Sequence, residues 1–147
     1  VSVDVTVETV IARPPERVAA VMLDPAHDRE WIKALTSAKV LTGGPVGVGT
    51  QVERVAAFLG RRMVYVNEIV EYEPPRLLEM RSIKAPFAMT VTYEIEPADG
   101  ESSVVRIHTG GDASGFYALA TPLLSLAVKA GVARDLRVLK ALVEGAG

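Results

Sequence analysis

The most legible chemistry in this sequence sits on two alternating stretches. Met63, Tyr65, Asn67 and Ile69 alternate with Val64, Val66, Glu68 and Val70, the pattern of a strand with one face turned inward. If the first face is inward, Tyr65 and Asn67 are polar handles in a mostly apolar surface. If the second is inward, Glu68 is a buried acid. The first is favoured, because an ionised Glu is expensive to bury. Tyr93 lies on the apolar face of a second alternating run, and its hydroxyl needs a partner once buried. The polar residues of these two runs, Tyr65, Asn67, Glu68 and Tyr93, are the candidate catalytic residues.

Asp135 falls on the apolar stripe of a helical pattern, near Val128, Val132 and Leu139. A carboxylate there must be paired or hydrogen-bonded. It is either a cavity acid or an anchor onto backbone donors near the short helices described below.

Other constellations fail on spacing. The turn Gly43-Gly44-Pro45-Val46-Gly47-Val48-Gly49 runs into a strand, not a helix, and lacks the Gly-Lys-Ser/Thr ending of a phosphate loop. Turn geometry explains it. His27 and His108 lack ligand companions at metal spacing, so no metal site is expected. His108 follows Ile107 in an alternating run and is expected to point away from the core. Ser82, Ser114 and Ser125 have no G-x-S-x-G elbow and no nearby His.

These residues must be held by a definite set of elements. Val3, Val5 and Val7 alternate with polar neighbours, which predicts a first strand. Pro15 and Asp24-Pro25 each open a short helix, the second carrying Trp31 and Leu35. Strands follow over Thr36–Leu41, Thr50–Leu59, Arg62–Tyr72 and Leu77–Ser82, then from Phe87 through Met89, Val91 and Tyr93 to Ile95, and over Val104–Thr109. Ala98-Asp99-Gly100 is a hairpin turn. From Asp112 the period becomes helical, for about 30 residues or roughly 45 Å. Pro122 either kinks this helix or follows a new cap at Thr121. The expected lining of any hollow between sheet and helix is Trp31, Met63, Tyr65, Asn67, Met80, Phe87, Met89, Val91, Tyr93, Phe116, Leu119, Leu123 and Leu124.

Length and composition agree with one α+β domain over residues 1–147. The chain has 147 residues, is 49% hydrophobic and carries a net charge of −2. That supports a sizeable core and argues against a nucleic-acid partner, which needs a basic face. With no Cys there is no disulfide and no thiolate chemistry. No apolar stretch is long enough to span a bilayer, so no stable membrane insertion is expected. The opening Val1-Ser2-Val3-Asp4 lacks a basic signal region, and its missing Met marks a trimmed or renumbered start. A cytoplasmic monomer or homodimer without cofactor is the expectation.

Several strings carry a family resemblance. They are Ile11-Ala12-Arg13-Pro14-Pro15-Glu16-Arg17-Val18, Trp31 at the end of the second helix, and Gly44-Pro45-Val46-Gly47-Val48-Gly49-Thr50. Val70-Glu71-Tyr72-Glu73-Pro74-Pro75-Arg76-Leu77 and the run from Asp135 to Glu144 complete the set. Together with the element order, they resemble the START-like, or SRPBCC, superfamily, which includes birch-pollen-allergen-type proteins, lipid-transfer domains and polyketide cyclases. The resemblance implies a helix-grip fold: a curved antiparallel seven-stranded sheet, with two short helices after the first strand, wrapped around a long C-terminal helix. It favours the anchor role for Asp135. It implies binding of a small hydrophobic molecule such as a lipid, isoprenoid or polyketide-like compound. The alternatives are a cyclase or dehydratase that folds a poly-β-carbonyl chain and polarises its carbonyls, and a protein-interaction module.

Overall fold

The alternating segments pair into one antiparallel sheet of seven strands in the order β1-β7-β6-β5-β4-β3-β2. The computed structural model describes residues 3–145, except for the side chain of Ser114. The strands are β1 Val3–Ile11, β2 Leu35–Val40, β3 Gln51–Phe58, β4 Arg61–Glu73, β5 Leu77–Lys84, β6 Met89–Ala98 and β7 Ser102–Gly111. Each strand from β2 to β6 pairs with the next in sequence. β1 pairs with β7 along its whole length, from Val3 opposite Gly111 to Ile11 opposite Ser103. The chain then crosses from β1 to the far edge through α1 (Pro15–Met22), a 3-10 turn (Pro25–His27) and α2 (Asp28–Trp31). Proline opens both α1 and the 3-10 turn, and the Asp24 side chain accepts from the Ala26 N–H to cap the turn.

A short helix α3 (Ser114–Tyr117) leads to α4 (Thr121–Gly145), which packs on β1, α1 and α2. The C-terminal half of α4 buries Leu136, Leu139 and Val143 against Ile11, Val18, Met22, Trp31, Ile69 and Ile95. Its N-terminal half contributes Leu124 to a smaller cluster with Val3, Val5 and Ala113. The dense core thus lies under one half of the helix, and the space under the other half is incompletely filled. On the outer face Arg106 sits among Glu8, Glu94 and Glu96, a solvated charge cluster. Among the described residues no helix is long and apolar enough to cross a membrane.

Three local expectations are corrected. Leu35 opens β2 and is not on the second helix, because Ile32 is already extended and ends α2 at Trp31. Phe87 precedes β6, since Pro86 has no N–H to give to a ladder. The long helix is 25 residues, shorter than the expected run of about 30, and of the two alternatives at Pro122 the fresh start at Thr121 holds and the kink in a continuous helix does not. The break is set by Ala118, which takes a left-handed φ of 53° that no helix continues through.

Candidate functional site

The site is built on the concave face of the sheet. Arg54 opposes Tyr65, Val52 opposes Asn67, and Ala56 opposes Met63 across β3 and β4. Period two therefore brings Arg54, Tyr65 and Asn67 to one surface. This answers the ambiguity in β4: Met63, Tyr65, Asn67 and Ile69 face inward. Glu68 is on the other face, 3.5 Å from Gln51 Nε2, and is removed as a cavity base.

Two adjoining chambers lie between this surface and α4. One, of about 170 Å³, is apolar and is walled by Phe58, Met63, Phe87, Tyr117, Leu124, Val128 and Gly131. The other, of about 180 Å³, is more polar and is walled by Trp31, Arg54, Asn67, Met80, Val91, Tyr93 and Ile107. Tyr65, Met89, Thr109, Val132 and Asp135 border both. Each chamber exceeds the ~150 Å³ that holds a benzene ring.

Three residues expected on the lining lie elsewhere. Leu123 is 57% exposed, because one step along a helix turns it away from Leu124. Leu119 packs on the outside of the small Val3–Leu124 cluster. Phe116 stacks beneath the Arg61 guanidinium at 4.0 Å, and Arg61 also donates to the Phe116 carbonyl. Its neighbour Tyr117 takes the place on the cavity wall, edge-on to Phe58.

The feature sequence reasoning missed is a buried ion pair. Arg54 and Asp28 are 3% and 1% exposed. Arg54 donates from Nε and Nη2 to Asp28 Oδ2 at 2.9 and 2.6 Å. Its Nη1 is 3.4 Å from Met80 Sδ, and a thioether is a weak acceptor. A signal for Arg54 was present, since it interrupts the inward series Val52, Ala56 and Phe58. Asp28 had none, lying in the polar string Asp28-Arg29-Glu30. Burial pushes the Asp28 carboxyl above its ordinary value, with Arg54 pulling it down. Burial opposes the Arg54 charge too, but the Asp28 carboxylate outweighs it and holds the guanidinium protonated.

The phenols beside this cation are desolvated. Burial pushes Tyr65 up to about 12 and raises Tyr93 further, so both are hydrogen-bond donors at neutral pH. Asp135 Oδ1 accepts from the Lys33 N–H at 3.1 Å, just beyond α2. Asp135 is thus an anchor that also borders both chambers. Burial raises its pKa, opposed by the Lys33 N–H and Arg134. Among the described residues, three buried side-chain polar atoms have no protein partner: Trp31 Nε1, Asn67 Oδ1 and Tyr117 Oη.

Among the described residues no three His, Cys, Asp or Glu side chains converge as a metal site would require. His27 Nδ1 is 2.6 Å from Glu30 Oε2, and His108 Nε2 lies beside Asp4 on the sheet exterior.

Solved structures share this architecture. A Streptomyces sp. R1128 protein, the Zhui aromatase/cyclase, superimposes with a TM-score of 0.80 at 17% identity, over 98% of this chain and 94% of that one. A START superfamily protein of Mycobacterium smegmatis gives 0.83 at 12% identity, over 98% and 99%. A protein of Thermus thermophilus gives 0.81 at 22% identity, over 98% and 99%. No curated protein sequence matches the chain. The sequence model described as polyketide cyclase / dehydrase and lipid transport matches residues 2–144, so the chain belongs to that family and has the START-like helix-grip fold.

Proposed function

We propose that this chain binds a small, mostly apolar molecule across the two chambers, with a carbonyl oxygen directed to Arg54. The observation that carries this reading is Arg54 itself. It is a buried guanidinium whose Nη1 has only a thioether beside it, at one end of a cavity lined mostly by apolar and aromatic side chains, with Asn67, Thr109 and Asp135 as further polar groups. Apolar burial, worth about 25 cal/mol per Å² before ordering costs, supplies the affinity, and the charged donor supplies orientation. Calorimetric titration with 2-acetylnaphthalene tests it. Saturable 1:1 binding is expected, weakened about tenfold in the neutral double variant Asp28→Leu/Arg54→Met. Absence of binding to the parent chain contradicts it.

The second reading is catalysis of ring closure in a poly-β-carbonyl chain, as the Zhui aromatase/cyclase is named for cyclisation. The donor set favours it. Arg54 and the protonated Tyr65 and Tyr93 would stabilise the enolate oxygen left when an α-proton is removed. That carbanion forms a C–C bond to a second carbonyl carbon, whose oxygen takes up a proton. Loss of water then gives the unsaturated ring. Asp135, a carboxyl of raised pKa on the wall, is the available proton carrier. A model poly-β-ketone thioester incubated with the chain should yield a cyclised product about 18 mass units lighter, the mass of one lost water. Product formation equal to the buffer control removes this reading and leaves the binding reading intact.

A further inference from the structure

We infer that the polar chamber selects a ring hydroxyl, with Trp31 Nε1 donating to it and Asn67 Oδ1 accepting from it. This rests on the cavity reading above and adds the chemistry of the group the cavity takes. Trp31 and Asn67 are 1% and 3% exposed, both border the same chamber, and each carries a polar atom without a protein partner. Buried polar atoms are almost always satisfied, so two orphans on one small chamber are a pattern that calls for a ligand group.

The two atoms are of opposite kind. An indole N–H can only donate, and an amide oxygen can only accept. A ketone or ether oxygen satisfies Trp31 and leaves Asn67 unmet. A carboxylate satisfies Trp31 and Arg54 but turns lone pairs towards Asn67 Oδ1. An ammonium satisfies Asn67 and sets a cation beside Arg54. A hydroxyl answers both atoms with a single oxygen. Beside these two atoms, Arg54, Tyr65, Thr109 and Asp135 also border the chamber, while the Tyr93 ring, edge-on to Trp31 at 5.7 Å, with Met80, Val91 and Ile107 gives an apolar wall that suits a ring as the carrier of that hydroxyl. The enol of a 1,3-dicarbonyl has the same oxygen and adds a carbonyl that Arg54 Nη1 can hold. The ligand class is therefore a phenolic or enolic ring.

Calorimetric titration of the parent chain with naphthalene, 2-methoxynaphthalene and 2-naphthol decides the matter. Naphthalene offers no polar group, the methoxy compound only accepts, and naphthol accepts and donates. The expected result is 2-naphthol binding about tenfold more tightly than 2-methoxynaphthalene. In Asn67→Leu that preference falls to about onefold, because the acceptor is gone. Equal or weaker binding of 2-naphthol in the parent chain overturns the inference while leaving the cavity reading in place. No binding of any of the three overturns both. The three ligands on the parent chain decide the question on their own should Asn67→Leu fail to fold.

Discussion

Arg54 spends two of its donors, Nε and Nη2, on the single oxygen Oδ2 of Asp28, and this leaves Nη1 beside Met80 Sδ in the cavity wall. The pair ties α2 to β3, so the crossover that closes the sheet and the polar end of the cavity share one interaction. A buried ion pair is weak grounds for stability in itself, but breaking it from one side strands a charge.

Asp28→Ala is therefore expected to cost about 3–5 kcal/mol, read as a lower midpoint in urea unfolding. The double variant Asp28→Leu/Arg54→Met, which removes both charges, should recover most of that loss. If the single and double variants unfold at the same midpoint, the stranded-charge account is wrong.

Asp135 gives a pH signature. Burial holds its folded-state pKa above the ordinary value of 3.8, so the folded chain binds more protons than the unfolded chain in the interval between the two values. Its contribution to stability therefore declines as pH rises from 3.8 through the raised value. Asp135→Asn keeps an acceptor for the Lys33 N–H and removes the titration. The stability of the parent relative to Asp135→Asn should fall across that interval and level off above it. A difference that does not change with pH contradicts the assignment.

Gly131 faces Phe58 across the apolar chamber, and a methyl group there would meet Phe58 Cε1 at 3.5 Å, an ordinary contact. Gly131→Ala should raise stability by about 0.5–1 kcal/mol through helix propensity, seen as a higher Tm. Gly131→Leu should fill the chamber and weaken 2-acetylnaphthalene binding. Unchanged affinity in Gly131→Leu would mean the ligand does not use that chamber.

Periodicity made most of the architecture legible. Alternating valines mark β1, Pro15 and Pro25 mark the short helices, and the inward face of β4 follows from the cost of burying Glu68. Arg54 was missed although it interrupts the apolar alternation of β3, and its meaning depends on Asp28, 26 residues earlier in a string with no pattern. Side-chain direction at a chain break was not legible either. The left-handed Ala118 re-aims the segment before it, so Tyr117 and not Phe116 reaches the cavity. Leu123 was misplaced for a different reason, since it is one step along α4 from the buried Leu124 and so faces outward.

The most direct test is a crystal structure of the chain grown with 2-acetylnaphthalene. The naphthalene should lie between the sheet and α4, with the carbonyl oxygen about 2.7–3.2 Å from Arg54 Nη1. Ligand bound on the exterior, with side chains filling the space between Arg54 and Gly131, would contradict the account.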